Sequence, residues 1–185
     1  MSLLDIHTLG APILRVETRP VTEITDDVRR LAEDMFETMQ AAQGIGLAAP
    51  QVGREERLAV IDVDARRYVI INPEVVHEEG EHTAEEGCLS IPEVYGDVTR
   101  SERVVVRATD VNGASFEIAA SDLLARCLLH EIDHLHGRLF IDYFSLLKRR
   151  AALNIWEKQR GKYPDNIRRL EPLPPAQAPA GDPGG

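Results

Sequence analysis

The sequence predicts an α+β fold in which antiparallel or mixed β-strands pack around a central helix, with a further helix towards each end of the chain. Apolar residues recur at helical spacing in three stretches. Short runs rich in Val and Ile face each other across turn residues, and these runs precede the second helical stretch. The 185 residues are enough for one sizeable core and too few to expect several.

The first predicted helix spans residues 25–40. Its apolar residues follow the i, i+3, i+4, i+7 spacing of an amphipathic helix: Val28, Leu31, Ala32, Met35, Phe36 and Met39. Thr25 is a suitable N-cap. The helix is expected to end before Gly44-Ile45-Gly46, where the two glycines allow the backbone to approach a ligand closely.

Two β-hairpins are predicted. The first joins residues 57–64 and 67–72, two runs rich in Val and Ile with few residues between them. The second joins residues 103–109 and 115–119 across the sequence Asp-Val-Asn-Gly. Its Asn-Gly pair supplies the positive φ angles that tight hairpin turns require.

Two more helices and a tail complete the prediction. Ser121 is the expected N-cap of a second helix, with Gly137 just after its end and apolar residues at Leu123, Leu124, Cys127, Leu128 and Ile132. A third helix is predicted over residues 143–158. Residues 170–185 are mostly Pro, Ala and Gly, with little to bury, and are predicted to be disordered.

The charge and composition exclude several classes of protein. The net charge of −10 argues against a protein that binds free duplex DNA. No run approaches the ~20 apolar residues of a membrane span, and the first residues lack the features of a signal peptide, so a cytoplasmic protein is expected. Two cysteines do not make a disulfide scaffold. Residues 148–169 hold eight basic and two acidic residues, which form either a solvated helix face or a docking patch.

The strongest chemical signal is the HExxH sequence from His130 to His134, inside the second predicted helix. Residues i and i+4 project from one helix face, so both imidazoles can bind one metal ion while Glu131 reaches a water on it. HExxH also occurs by chance on exposed helices. Here it lies among Leu128, Ile132 and Leu135, which favours a buried site.

The residues leave the third metal ligand open. Glu157 lies downstream, as the glutamate ligand does in several HExxH hydrolases, whereas His136 points away from the face that the two histidines share. Upstream, Cys88 lies in the segment Glu-Gly-Cys-Leu-Ser, and a thiolate is a strong ligand for borderline metals. Cys88 could equally be a small buried apolar residue.

Three segments together resemble the peptide deformylase family in its bacterial form. They are GIGLAAPQ (residues 44–51), EGCLS (86–90) and HEIDHL (130–135), in this order and at about this spacing. The resemblance extends from about Gly10 to residue 147. It implies a catalytic domain over residues 1–147, followed by a basic helical extension over residues 148–169.

The resemblance implies a reaction and a metal centre. The family removes the N-formyl group from the initiator methionine of nascent peptides and releases formate. Cys88, His130 and His134 match the family's metal ligands, and the metal is typically Fe2+, although Zn2+, Ni2+ or Co2+ would suit the same ligands. Metal-bound hydroxide would attack the formyl carbon, with Glu131 as general base and then general acid.

The resemblance also implies the residues that contact the substrate. Gln51, through its side-chain amide, and Leu89, through its backbone N–H, match the donors to the oxyanion. Gly44, Ile45 and Gly46 would lie along the peptide. The methionine pocket would be lined by Ile45, Glu86, Leu123, Cys127 and His130. Tyr95 stands where relatives often have an arginine. From the residues alone, Asp133 is either a partner of Arg100 or a solvated charge on the helix.

The basic segment 148–169 is expected to dock on the ribosome, as the family's basic C-terminal helix is thought to do. Its candidate residues are Lys148, Arg149, Arg150, Lys158, Arg160, Lys162, Arg168 and Arg169. Two other functions remain open from the residues alone. One is another HExxH metallohydrolase, such as an endopeptidase with a downstream glutamate ligand, and the other is a binding module with a structural zinc ion.

Overall fold

The structure is a computed structural model that describes residues 2–172 of the chain. The predicted disordered tail lies almost entirely outside these residues. Three α-helices are present in the described part: α1 (Asp26–Ala41), α2 (Asp122–Leu135) and α3 (Leu146–Glu157). The strands are β1 (Ile6–His7), β2 (Gly46–Ala48), β3 (Leu58–Val63), β4 (Arg66–Glu79), β5 (His82–Cys88), β6 (Ile91–Arg100), β7 (Arg103–Thr109), β8 (Ser115–Ser121) and β9 (Ile167–Arg168).

The main sheet has the strand order β2-β3-β4-β7-β8, with every neighbouring pair antiparallel. Both predicted hairpins are present, as β3–β4 and β7–β8. Strand β4 runs seven residues beyond the predicted end at Asn72. Asn72 and Pro73 have the composition of a turn, but the chain forms an irregularity there and the pairing with β7 continues up to Glu79.

Strand β3 is buried on both faces because helices cover both sides of the sheet. Leu58 and Val60 face α1, where they pack in one core cluster with Met35. Ala59 and Ile61 point the other way and pack in a second cluster with Leu128 and Ile132 of α2. The HExxH helix is therefore central, and the predicted α+β fold is confirmed.

Three helix ends follow local capping rules, whereas Ser121 lies at the predicted N-cap position of α2 but its side chain makes no capping hydrogen bond. Thr25 Oγ accepts from the Val28 N–H (3.3 Å) at the start of α1. At the end of α2, Gly137 has a φ of +70° and Arg138 donates to the carbonyl of Asp133 (2.9 Å), as in a Schellman motif. Helix α3 starts at Leu146, later than the predicted residue 143, because Ser145 Oγ accepts from the Lys148 N–H and caps the helix there.

A two-stranded ribbon of β5 and β6 is absent from the sequence prediction. The sequence HTAEEGC of β5 has no run of Val or Ile, and Gly96 weakens the sequence signal for a strand over β6. Val94 and Val98 of β6 are nonetheless buried, against Phe140 and Trp156 among others. This ribbon ends at Cys88, so it positions one of the candidate metal ligands.

The chain beyond α3 returns to its N-terminal residues. Ile167 and Arg168 of β9 pair with His7 and Ile6 of β1 in an antiparallel arrangement. Part of the predicted basic extension, residues 148–169, is therefore hydrogen-bonded to the rest of the fold. The described residues contain no helix with the length and apolar character that crossing a membrane requires.

Candidate active site

Cys88, His130 and His134 form a cluster of possible metal ligands. One ligand atom from each residue lies within 4.8 Å of those of the other two. Cys88 Sγ at the end of β5 is 3.3 Å from His134 Nε2 on α2. The two imidazole centroids are 5.0 Å apart, as expected one helical turn apart on the same face. The cluster joins two segments that are distant in the sequence.

Glu86 sets the orientation of the His130 imidazole. Its Oε1 lies 2.8 Å from His130 Nδ1. An ionised carboxylate can only accept a hydrogen bond, so Nδ1 carries a proton, and in the neutral imidazole that a metal ion requires the lone pair is on Nε2. Sequence reasoning assigned Glu86 to the substrate pocket, and its buried carboxylate also holds this metal ligand.

Two buried arginines form ion pairs with the Glu86 carboxylate and balance its negative charge. Arg100 donates to both oxygens of the Glu86 carboxylate (2.6 and 2.9 Å), and Arg126 donates to Oε2 (2.6 Å). Burial alone would raise the pKa of Glu86, but the hydrogen bonds from His130 and Arg100 lower it to about 2. Glu86 is therefore ionised at neutral pH.

Arg100 also links this network to the middle of the HExxH motif. It donates to Asp133 Oδ2 (2.8 Å), so Asp133 is a partner of Arg100 rather than a solvated charge. Asp133 also accepts from the Tyr143 hydroxyl (2.7 Å). Buried networks of this kind rigidify a site when each member has its partners.

Glu131 lies beside the ligands in a different environment. Its side chain is buried, and among the described residues its Oε2 has no hydrogen-bond partner. Burial is the main reason that its pKa rises to about 7. A carboxyl group with a pKa near neutrality can both take and release a proton at physiological pH.

The backbone of β2 approaches Glu131 closely at Gly46. A Cβ atom at Gly46 would lie 2.9 Å from Cys127 Sγ and would overlap the Glu131 carboxylate. Burial raises the pKa of the Cys127 thiol, so Cys127 is an apolar, protonated wall of the site. Glycine at this position is therefore a requirement of the packing.

The residues present fit a divalent metal ion. One thiolate and two imidazoles are a suitable donor set for a borderline metal. Burial lowers the pKa of His134 well below its usual range, so this imidazole is neutral, as a ligand must be. Buried Glu131 Oε2 also needs a partner that the described residues do not supply.

Gln51 and the Leu89 turn lie next to this cluster. Gln51 is buried, and its Oε1 accepts from the Ala48 N–H (2.9 Å). Its Nε2 donates to Ser90 Oγ (3.1 Å) and is 3.7 Å from Cys88 Sγ. Leu89 lies in the tight turn between β5 and β6.

A cleft of about 590 Å³ opens beside Glu131 and His130. All the residues predicted to bind substrate line it: Gly44, Ile45, Gly46, Glu86, Leu123 and Cys127. Ile45 and Leu123 are 42% and 51% exposed, and Tyr95 is 63% exposed, so they form the rim. Tyr163 and Arg168 also line the cleft. No motif in the sequence pointed to Tyr163, and Arg168 was expected only as a docking residue of the basic segment.

The other two candidate ligands lie elsewhere. Glu157 on α3 pairs with Arg160 (3.0 Å). His136 Nδ1 is 2.6 Å from Glu17 Oε1, away from the face of α2 that carries His130 and His134. Neither residue belongs to the metal-ligand cluster found in the described part of the chain.

A cluster of one cysteine and two histidines that could hold a metal ion, beside a buried carboxyl group at the wall of a cleft, is typical of metallohydrolases. The Polypeptide deformylase family model matches residues 3–150, and the chain belongs to this family of metalloenzymes. The family resemblance and the enzyme class inferred from the sequence are thereby confirmed.

Similar proteins support the same assignment. The peptide deformylase of Alkalilimnicola ehrlichii is 51% identical over 85% of this chain and 91% of its own length. A crystal structure of a peptide deformylase from Legionella pneumophila has a TM-score of 0.84 and 44% identity, and covers 87% of this chain and 97% of that chain. The Ehrlichia chaffeensis peptide deformylase in complex with actinonin has a TM-score of 0.83 and 40% identity, and covers 86% of this chain and 99% of that chain.

Proposed function

We propose that this peptide deformylase removes the N-formyl group from the initiator methionine of newly synthesised peptides and releases formate. The observation that supports this reaction most directly is the cluster of Cys88, His130 and His134 beside buried Glu131, at one wall of the cleft. The cluster offers a metal site and a proton carrier at the same point.

Cys88, His130 and His134 would hold one divalent ion, which we propose to be Fe2+, with Zn2+, Ni2+ or Co2+ compatible with the same ligands. A divalent ion held there would supply Lewis acidity and a water acidic enough to ionise near neutral pH. Glu86 keeps His130 in the tautomer that binding requires.

Glu131 is the proposed general base and general acid. Its carboxylate takes the proton of the attacking water and then delivers it to the amine nitrogen as the amide bond breaks. The raised pKa of Glu131, about 7, suits both transfers because the group is neither strongly acidic nor strongly basic in the site.

Gln51 and Leu89 are the proposed donors to the developing oxyanion. The Gln51 side-chain NH2 is held next to Cys88, and Leu89 directly follows that ligand in the chain. Donors that are in place before the reaction stabilise the transition state without reorganising.

The proposed peptide site uses the rest of the cleft. The peptide would lie along Gly44, Ile45 and Gly46. Its methionine side chain would enter the pocket lined by Ile45, Glu86, Leu123, Cys127 and His130, which all lie at the cleft. The buried thiol of Cys127 gives this pocket an apolar wall.

Release of formate from formyl-Met-Ala-Ser by the anaerobically iron-loaded enzyme tests this proposal. We expect turnover of this peptide and strong discrimination against acetyl-Met-Ala-Ser, because the added methyl group must fit where Leu89 crowds the carbonyl carbon. Glu131→Gln is expected to lose about 10²-fold or more in kcat, since it removes the proton carrier. Equal rates on the two peptides, or an unchanged rate in the variant, would contradict the mechanism.

The identity of the third ligand distinguishes this proposal from an endopeptidase with a glutamate ligand. Cys88→Ala is expected to lose the metal, while Glu157→Ala retains it, because Glu157 lies at the end of α3 and pairs with Arg160. The metal content of each variant after gel filtration measures how much metal it retains. The opposite pattern would exclude the proposed site.

We further propose that the enzyme acts in the cytoplasm, with residues 1–147 as the catalytic unit and the basic residues of 148–169 docking on the ribosome. On α3, Leu146 and Leu147 are 85% and 80% exposed next to Arg150, which is also exposed. Binding of the basic residues to ribosomal phosphates must weaken as salt is added. Co-sedimentation with ribosomes that neither falls with salt nor depends on these residues would contradict this part of the proposal.

A further inference from the structure

The C-terminal end of the described chain reaches the active-site cleft. Arg168 of β9 lines the cleft, and its Nη1 donates to the backbone carbonyl of Leu89 (3.3 Å). Leu89 immediately follows Cys88 and is the proposed backbone donor to the oxyanion. A residue from the predicted docking extension therefore contacts the turn between β5 and β6 that contains Leu89.

We name the paired strands β1 and β9 the terminal ribbon. The pairing of Ile6 with Arg168 is extended by a hydrogen bond from the Thr8 N–H to the Asn166 carbonyl (2.8 Å). Ile6 and Thr8 are fully buried. Arg168 therefore projects from a backbone that is fixed on one side.

The terminal ribbon and the residues that follow β1 hold the Leu89–Ser90 turn at two points. The N–H of Leu9, two residues after β1, donates to the Ser90 carbonyl (2.9 Å), and Arg168 of β9 donates to the Leu89 carbonyl. Two successive carbonyl groups of one turn thus accept hydrogen bonds from Leu9, near the start of the described residues, and from Arg168, near their end. These bonds restrict the backbone angles that aim the Leu89 N–H.

The same ribbon contacts the other proposed oxyanion donor. Strand β1 packs against the 3-10 turn Ala49–Val52, which contains Gln51. Gln51 Nε2 in turn donates to Ser90 Oγ (3.1 Å). Both donor segments are therefore supported by one structure built from the two ends of the described chain.

Arg168 has no competing acidic partner within residues 2–172. No carboxylate there forms an ion pair with its guanidinium, while the neighbouring Arg169 lies 3.8 Å from Asp5. The carbonyl of Leu89 is thus the hydrogen-bond acceptor on which Arg168 acts, and a charged donor strengthens such a bond.

We propose that Arg168 is a positioning residue for deformylation, which holds the Leu89–Ser90 turn so that the Leu89 N–H points at the developing oxyanion. This inference rests on the proposed role of Leu89. Loss of a whole oxyanion donor costs roughly 10²–10³ in kcat, so a donor that is loosened but still present should cost about tenfold.

The test compares Arg168→Ala, Arg168→Lys and the control Arg66→Ala as metal-loaded, full-length enzymes. Arg66 is exposed at the start of β4 and does not line the cleft. For Arg168→Ala we expect about a tenfold lower kcat on formyl-Met-Ala-Ser with KM within about twofold, because the contact acts on the transition state. Lysine keeps one charged donor and should recover activity to within about threefold of wild type.

Metal content and the thermal midpoint distinguish positioning from a structural role. We expect both to match wild type in Arg168→Ala, and Arg66→Ala to match wild type in every measurement. The inference is overturned if Arg168→Ala keeps its kcat, or if its loss of activity comes with loss of metal or stability. Formate release by the wild-type enzyme in the same assay tests the proposed function separately from the comparison of Arg168 variants with wild type.

Discussion

The 2.8 Å contact between Glu86 Oε1 and His130 Nδ1 joins the two segments that carry the proposed metal ligands. Glu86 is two residues before Cys88 on β5, and His130 is one turn before His134 on α2. The same carboxylate accepts from Arg100 and Arg126. Because Glu86 is close to Cys88 in the chain and bonded to His130, its carboxylate helps to fix the position of Cys88 relative to the two histidines.

Glu86→Gln is expected to weaken metal binding by roughly 10- to 100-fold, a typical cost of losing a partner behind a ligand. The new amide NH2 would face donors from Arg100, Arg126 or His130, none of which can accept a hydrogen bond. Competition with a chelator under anaerobic conditions measures the affinity. Glu85→Gln removes the same charge from the exposed neighbour and should bind metal as wild type does. An unchanged affinity in Glu86→Gln would refute this role.

Gly46→Ala should lower kcat by about 10²-fold, because a 1 Å displacement of catalytic groups costs about that much. The added methyl group must move either β2 or the Glu131 carboxylate. Steady-state kinetics on formyl-Met-Ala-Ser measure the effect. Gly161→Ala is the matched control, since no atom lies within 4 Å of its added Cβ. Full activity in Gly46→Ala would show that Glu131 can be displaced without cost.

Arg126→Met is expected to destabilise the fold by about 2–4 kcal/mol, because it leaves buried acceptors without their donor. Arg126 donates to the carbonyls of Val98 (2.8 Å) and His82 (2.7 Å), so it ties α2 to both strands of the β5–β6 ribbon. Urea unfolding followed by circular dichroism measures the change. Arg107→Met, which breaks an exposed pair with Glu117, should cost about 1 kcal/mol or less. Similar costs for the two variants would contradict this prediction.

Arg15→Met should lower stability in a way that depends on pH. Burial raises the pKa of Asp142, but hydrogen bonds from Arg15 and the Leu139 N–H outweigh it and hold that pKa below its usual value. A carboxyl with a lowered folded-state pKa stabilises the fold above its unfolded pKa of about 3.9, and this stabilisation is lost as the pH falls through the folded value.

The variant is therefore expected to be less stable than wild type by about 1 kcal/mol or less near pH 7, with the difference shrinking below about pH 4. Urea unfolding over this pH range gives the difference. Arg29→Met, which breaks an exposed i, i+3 pair with Asp26, is the control. A difference that grows towards acid would be opposite to the expected sign.

Much of the fold follows from local sequence patterns. The apolar stripe of α1, the Asn-Gly turn of β7–β8 and the Gly137 stop of α2 each depend on residues a few positions apart. The β5–β6 ribbon was missed because its burial comes from Phe140, Trp156 and other residues far along the chain. The predicted end of the second strand at residue 72 was also wrong, because pairing with β7 carries β4 on to Glu79.

The sequence by itself determined that His130 and His134 share a helix face with Glu131 between them, since helical geometry makes residues four apart neighbours. It left the third ligand open between Cys88 and Glu157 until a family resemblance was added. Tertiary structure brought Cys88 to the histidines, tied Glu86 to Arg100 and Arg126, and placed Arg168 at the Leu89 turn. These contacts join segments that are far apart in the sequence and that the packing of the whole chain brings together. The spacing of residues along the sequence therefore could not show them.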